Sequence, residues 1–261
     1  MRKQYASDLT HQEFNCIAPL LPPEKPGGRP RSVDMYEILC AIFYVLHNGC
    51  AWRNLPHDFP AWQTVYTYFV ALQRHGSWAA INHFLVRRTR KQAGKPPEPS
   101  AVIIDAQTVR CGPQAGPRGI DAGKRINGRK RHVAVDSMRL LLVVRVTAAN
   151  IQDRSGGFPL LEQTYNRFPR IRHVWADAGY TGQLVRWARE TLGWTMDIVK
   201  GVVGQRGFVV QPRRWVVERS LAWLTRSRRL SRDYEILPQT TEAWFYLANI
   251  RLMLRRLERS V

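Results

Sequence analysis

The chain has 261 residues, 44% of them hydrophobic and 10% aromatic, which suits one large or two modest folded units and rules out a disordered tail. Forty Lys and Arg against twenty Asp and Glu give a formal charge of +20; DNA or RNA is the polyanion best suited to offset it, because the charge is spread along the chain rather than gathered on one membrane-seeking helix. Four scattered cysteines without a CxxC pair argue against a zinc site or a disulfide framework, and no apolar run resembles a signal or a membrane span, so a soluble cytoplasmic protein is expected.

In chain order, residues 8–21 carry apolar side chains at helical spacing and stop at Pro22 and Pro23. A Gly-, Pro- and Arg-rich loop leads to a strong helix near 34–48, with Asp34 as N-cap and Gly49 just past its end. Further helices are expected from about Ala61 to Arg74 and from Ser77 to Thr89. Together they form a small all-helical, helix-turn-helix-like domain over 1–90. The segment 91–100 holds three prolines and no large apolar residue, and reads as a linker.

Beyond it the pattern changes to β. AVIID (101–105) is a short apolar strand, and 131–137 with 140–147 form a hairpin. Helices near 155–166 and 182–192 alternate with strands at 173–180 and 194–200, and helices are expected at 213–224 and 241–259. Adjacent antiparallel strands followed by βα units predict an α/β domain, a mixed sheet flanked by helices, over 101–261.

Three carboxylates stand out. Asp105 and Asp177 each close an apolar strand, where an ionised carboxylate needs a donor or a cation. In RRWVVERSLAWL, helical spacing groups Trp215, Glu218, Leu221 and Ala222, which places Glu218 on the apolar side facing the sheet. Together they suit hard divalent cations. Taken singly, each Asp is also an ordinary strand-end cap, and Glu218 has Arg214 one turn away as an ion-pair partner. Asp136 and Asp153 sit at turns, where local hydrogen bonding accounts for them.

The basic residues fall into two groups. Arg118, Lys124, Arg125, Arg129, Lys130 and Arg131 lie among glycines in a loop after the first strand, either as phosphate contacts or as a solvated surface. Arg213, Arg214, Arg219, Arg226, Arg228, Arg229 and Arg232 surround the Glu218 helix. At the start of the 61–74 helix, Gln63 and Thr64 would face base edges if that helix reads DNA; otherwise its aromatic residues are core.

The runs VIIDAQTVR, GPRGIDAGKRINGRKRHVAVD, AANIQDRSG, WADAGYTG and RRWVVERSLAWLTRSRRL, in that order over about 101–235, resemble the signatures of IS5-type insertion-sequence transposases. LLPPEKPGGRPRS and GCAWRNLPHDFPAWQTVY resemble the helical N-terminal region of the same family. The resemblance implies an RNase H-like DDE catalytic core in a bacterial, nucleoid-associated enzyme, with Asp105, Asp177 and Glu218 as catalytic residues holding two Mg²⁺ ions, for which Mn²⁺ can stand in. It also implies cleavage at the terminal inverted repeats, transfer of the freed 3′-hydroxyl to target DNA, and a homodimer or higher assembly on DNA. In the family's Tyr-x2-Arg-x3-Glu-x6-Lys motif, Arg214 and Glu218 are in register, whereas Gln211 and Thr225 replace the Tyr and Lys, and Arg226 is available one position on. Two other readings stay open: an RNase H-like nuclease without strand transfer, and a non-catalytic DNA-binding protein.

Overall fold

Thr10 and Glu13 close a reciprocal capping box and start α1 (His11–Ile17). In the computed structural model, which describes residues 2–24, 27, 31–199 and 214–258, three longer helices follow. They are α2 (Met35–Asn48), α3 (Trp62–Arg74) and α4 (Ser77–Gln92). The Asp34 carboxylate accepts the Tyr36 N–H at 2.8 Å and caps α2, and Gly49 ends it at φ 70°. A Cβ on Gly49 would stand 3.0 Å from the Arg228 backbone, so that turn needs glycine for space as well as conformation.

The sheet comprises β1 (Ala101–Arg110), β2 (Gly119–Asp121), β3 (Ile126–Val135), β4 (Leu141–Ala148), β5 (His173–Ala176) and β6 (Thr195–Ile198). Its main path runs β4-β3-β1-β5-β6, with β2 beside the start of β3. β1 pairs antiparallel with β3 and parallel with β5, and β6 continues the parallel side. Three antiparallel strands followed by two parallel ones, fed by crossover helices, make the expected RNase H-like mixed sheet.

Helices α5 (Asp153–Arg167), α6 (Gln183–Leu192), α7 (Arg214–Leu224) and α8 (Pro238–Glu258) flank it. Two buried residues on β3 identify the faces. The His132 ring lies against Gly156 of α5, and the Arg131 guanidinium lies 5.1 Å from the Phe245 ring of α8.

The helical part and the sheet share one buried apolar cluster that includes residues from Leu9 to Leu257. At its centre Asn82 of α4 donates to the Leu141 carbonyl (2.9 Å) while Asn249 of α8 donates to the Asn82 amide oxygen (2.7 Å). Arg90 of α4 forms a buried ion pair with Asp136, whose other oxygen accepts the Met138 and Leu140 amides of the β3–β4 turn. The Pro-rich connection is also held, by Arg90 Nε donating to the Pro96 carbonyl (2.9 Å) and by an Arg87–Glu98 ion pair (3.0 Å).

The helix boundaries agree with the sequence within a few residues. The strands at the basic loop do not: β1 continues five residues past Asp105, β3 begins at Ile126, and β2 lies within the segment read as loop. Their arginines and glycines masked the strand signal.

Candidate active site

Asp105 sits in the middle of β1, where the neighbouring strand β5 stops. The parallel register pairs Ala101 with His173 and Ile103 with Trp175, so Asp105 comes level with Asp177, just past the end of β5. Neighbouring strands lie about 4.8 Å apart, which makes the two aspartates lateral neighbours. Asp105 Oδ1 accepts the Ala106 N–H at 2.7 Å; Asp177 Oδ1 accepts the Gly179 N–H at 2.9 Å and caps the 3-10 turn at Ala178–Tyr180.

A third carboxylate joins them. A Cβ on Gly179 would meet Asp177 Oδ1 at 3.0 Å and Asp153 Oδ2 at 3.4 Å, so both aspartates flank the same glycine. Tyr180 is fully buried beside them, and its hydroxyl has no hydrogen-bond partner. Burial first, then the charges of Asp105, Asp153 and Asp177, push that hydroxyl well above its ordinary range. Asp153 also holds the buried Lys130 amine at 2.8 Å. Sequence reasoning set Asp153 aside as a turn residue and assigned Tyr180 nothing. The only signal for Tyr180 was its place in the WADAGYTG run.

Helix α7 reaches this cluster: a narrow cleft is lined by Asp105, Asp177, Val199 and Val217. Glu218, next in sequence to Val217, is exposed. This corrects the expected stripe. The buried face is Val216, Val217, Ser220, Leu221 and Leu224, whereas Trp215 is half-buried, with the Arg139 guanidinium 4.6 Å from its ring, and Ala222 is exposed. One residue on a helix is about a 100° turn, so Val217 lines the cleft beside the aspartates while Glu218, one step round the helix, is exposed. Among the described residues no three His, Cys, Asp or Glu side chains converge closely enough to hold a metal ion. The two aspartates offer carboxylate oxygens of the kind a hard divalent cation takes.

The basic residues divide sharply by burial. Arg129 and Arg131 are 0% exposed, which contradicts their expected role at DNA. Arg129 donates to the Pro117, Glu235 and Ile236 carbonyls and to Asp233, and Arg131 to the Leu230 and Arg232 carbonyls. Burial pulls the Arg131 guanidinium down to about 10. Lys130, buried between Asp153 and Asp121, is likewise committed internally. Arg229, also read as basic surface around α7, is buried as well, donating to Glu235 at 2.7 Å and to the Cys50 carbonyl at 2.9 Å. Arg118, Lys124, Arg125, Arg219, Arg226, Arg228, Arg232 and Gln63 are exposed, and Thr64 is partly so. Arg214 begins α7, but its side chain, with Gln211 and Arg213, lies outside the described residues. Thr225 donates its hydroxyl back to the Leu221 carbonyl at 2.9 Å and ends the helix.

Two family models match the chain: a transposase DDE domain over residues 96–253, and a transposase of the IS4/5 family over residues 9–82. A protein of Burkholderia cepacia, named as a transposase for insertion sequence element IS402, is 33% identical over 141 residues, which is 51% of this chain. The match spans 64% of that relative, under two thirds of its length. Among solved structures, the Mos1 strand transfer complex aligns over 92% of this chain and 80% of that one, at 12% identity and a TM-score of 0.33. The Mos1 paired-end complex with left transposon end aligns over 92% and 81%, at 13% identity and 0.32. Those two likenesses are too loose to bear on function. No helix among the described residues is long and apolar enough to cross a membrane.

Proposed function

The chain belongs to the transposase DDE-domain family, and from that membership we propose that it cuts DNA at insertion-sequence ends and joins the freed 3′-hydroxyl to target DNA. The observation that carries this reading is the level placement of Asp105 and Asp177 at the β1–β5 edge, beside buried Tyr180 and beneath α7.

The chemistry is two in-line displacements at phosphorus. A water oxygen attacks the phosphodiester, the P–O3′ bond breaks, and the departing oxygen leaves as a 3′-hydroxyl once protonated. That hydroxyl oxygen then attacks a target phosphodiester, losing its proton while the target's own 3′-oxygen departs. Divalent cations, two Mg²⁺ or Mn²⁺ when bound, would supply the Lewis acidity for the attacking and leaving oxygens. In this reading Asp105 and Asp177 present their oxygens from the rigid strand edge, and Tyr180 keeps the floor beneath them dry. Glu218, on α7 above the aspartates, supplies the third carboxylate. Exposed Arg118, Lys124, Arg125, Arg219 and Arg226 neutralise phosphates, and Gln63 and Thr64 face base edges. Action on two ends calls for a dimer or larger assembly on DNA.

The test is a strand-transfer assay with a labelled duplex bearing the element's terminal repeat and a supercoiled plasmid, in Mg²⁺ or EDTA. Labelled plasmid in Mg²⁺ alone, lost in Asp105→Asn, Asp177→Asn and Glu218→Gln proteins that still bind DNA, is expected. Normal cleavage by any of the three would overturn that residue's assignment. Binding without cleavage by the wild-type protein would identify a non-catalytic DNA-binding protein, and cleavage without joining a nuclease.

A further inference from the structure

The turn between β3 and β4 holds Arg139 at φ 67°, a left-handed backbone that glycine takes freely and a β-carbon resists. The turn around it has little slack. The Asp136 carboxylate accepts the Met138 and Leu140 amides, each at 2.9 Å, and the Arg139 amide donates to the Asp136 carbonyl at 3.0 Å. Arg90 ties the same carboxylate to α4. Glycine would form this turn without strain, so nothing in the turn itself calls for an arginine.

The side chain lies against α7. Its guanidinium carbon stands 4.6 Å from the centre of the Trp215 ring and 5.2 Å from that of Trp223, so one cation meets both aromatic residues of the helix. The Ser220 hydroxyl is shared between the Arg139 carbonyl (3.2 Å) and the Val216 carbonyl (2.9 Å). Arg139 Nε is buried with no hydrogen-bond partner among the described residues, so that edge of the group is held by packing on the rings. The two tryptophans are eight residues apart, about 12 Å along the helix at 1.5 Å per residue. A grip of that span resists both sliding and rolling of α7.

Roll is what matters for the carboxylate. Val217 lines the cleft with Asp105 and Asp177. At about 100° per residue, Val217 lies about 160° round the helix from the midpoint of the two tryptophans, and Glu218 about 100° from either. The grip and the cleft therefore hold opposite flanks of α7, with Glu218 on the exposed arc between them.

We propose that Arg139 is a positioning residue, which sets the roll of α7 and with it where Glu218 stands relative to Asp105 and Asp177. The inference rests on the reading of Glu218 as the third carboxylate, and adds to it a residue on the far flank of the helix.

The experiment compares the wild type with Arg139→Gly and Arg139→Lys, as full chains. Thermal melts read the fold, anisotropy with a labelled terminal-repeat duplex reads DNA affinity, and single-turnover cleavage of that duplex in Mg²⁺ reads the rate. Arg139→Gly removes the guanidinium and the backbone strain together, so it should melt close to the wild type and bind DNA equally. It should nevertheless cut on the order of tenfold to a hundredfold more slowly, and hydrogen exchange across 215–224 should quicken by about tenfold or more. Arg139→Lys, which keeps a cation beside the rings, should recover most of the rate and of the protection. Trp215→Leu should also slow cleavage, and combined with Arg139→Gly it should slow by less than the product of the two factors, since both remove one contact.

Full multiplication of the factors, an Arg139→Gly protein that cuts at the wild-type rate, or one that melts far below the wild type overturns the positioning role and leaves the proposed function standing. Slow cutting with unchanged exchange in α7 does the same. Normal cleavage by Glu218→Gln removes Glu218 from the site and this inference with it. Wild-type protein that binds the duplex without cutting it overturns both readings.

Discussion

Replacing Arg129 by Met separates a folding role from a DNA-binding role at a position whose sequence context suggests the second. The Arg129 guanidinium makes four bonds: Nε to the Pro117 carbonyl (2.9 Å), Nη1 to Asp233 Oδ1 (3.0 Å) and to the Glu235 carbonyl (2.8 Å), and Nη2 to the Ile236 carbonyl (2.7 Å). Both members of the Arg129–Asp233 pair have fully buried side chains. Met fills similar length but donates nothing, so three carbonyls are left without a donor and a buried carboxylate without its counter-charge. Asp233 keeps the Thr241 hydroxyl (2.9 Å) and the Glu235 N–H (3.1 Å), which softens the loss. Breaking a buried pair from one side costs about 3–5 kcal/mol. At roughly 2–4 °C per kcal/mol for a chain of this size, the melting temperature should fall by about 6–20 °C. Calorimetry reads the shift, and anisotropy at a temperature where both proteins are folded reads DNA affinity, which should be unchanged. A variant that melts with the wild type but binds DNA many-fold more weakly would refute the buried role.

Three other outcomes are expected. Lys124→Gln/Arg125→Gln, at the exposed turn between β2 and β3, should flatten the salt dependence of DNA binding by about 0.9 per phosphate released and leave the melting temperature unchanged; an unaltered slope would remove that turn from the DNA path. Gly156→Ala would set a Cβ 2.1 Å from the ring of fully buried His132. Overpacking of about 1–3 kcal/mol then outweighs the roughly 1 kcal/mol that Ala adds to a helix, so the urea midpoint should fall, and an equal or higher midpoint would contradict the packing. Burial lowers His132 to about 4, so between pH 4 and about 6.5 the unfolded chain holds a proton that the folded one does not. That contribution is present in full above pH 6.5 and is lost as pH falls toward 4, by up to about 3 kcal/mol. Urea melts across that window check it, since a His132→Gln protein should lose this part of the pH slope.

Much of the architecture was legible because local chemistry and tertiary packing agree. Asp34 and Gly49 bound α2 where capping rules place them, and the β-branched run in β4 is a strand buried along most of its length. The position of the two aspartates on neighbouring strands was legible for a related reason, since a carboxylate next to an apolar strand stands out in one dimension. The exposure of Glu218 was not, because helical spacing allowed two stripes and the choice depended on Trp215, which sits at the edge of the core beside Arg139. The 129–131 basic run misled for a different reason. Its partners Asp233 and Asp153 are remote in sequence, and an arginine whose counter-ion lies 104 residues away reads locally as surface charge.

The single core shared by the helices and the sheet bears on how such a chain can be divided and reused. Asn82, Arg90 and the face of α4 are completed by Leu141, Asp136 and α8, so the first ninety residues carry half of an interior rather than a surface. Cut near residue 92, either piece would present an apolar wound with unpaired amides, and the parts would melt as one cooperative unit when left joined. Exchanging the helical part between relatives, as one would a detachable recognition module, therefore requires the α8 face to be exchanged with it.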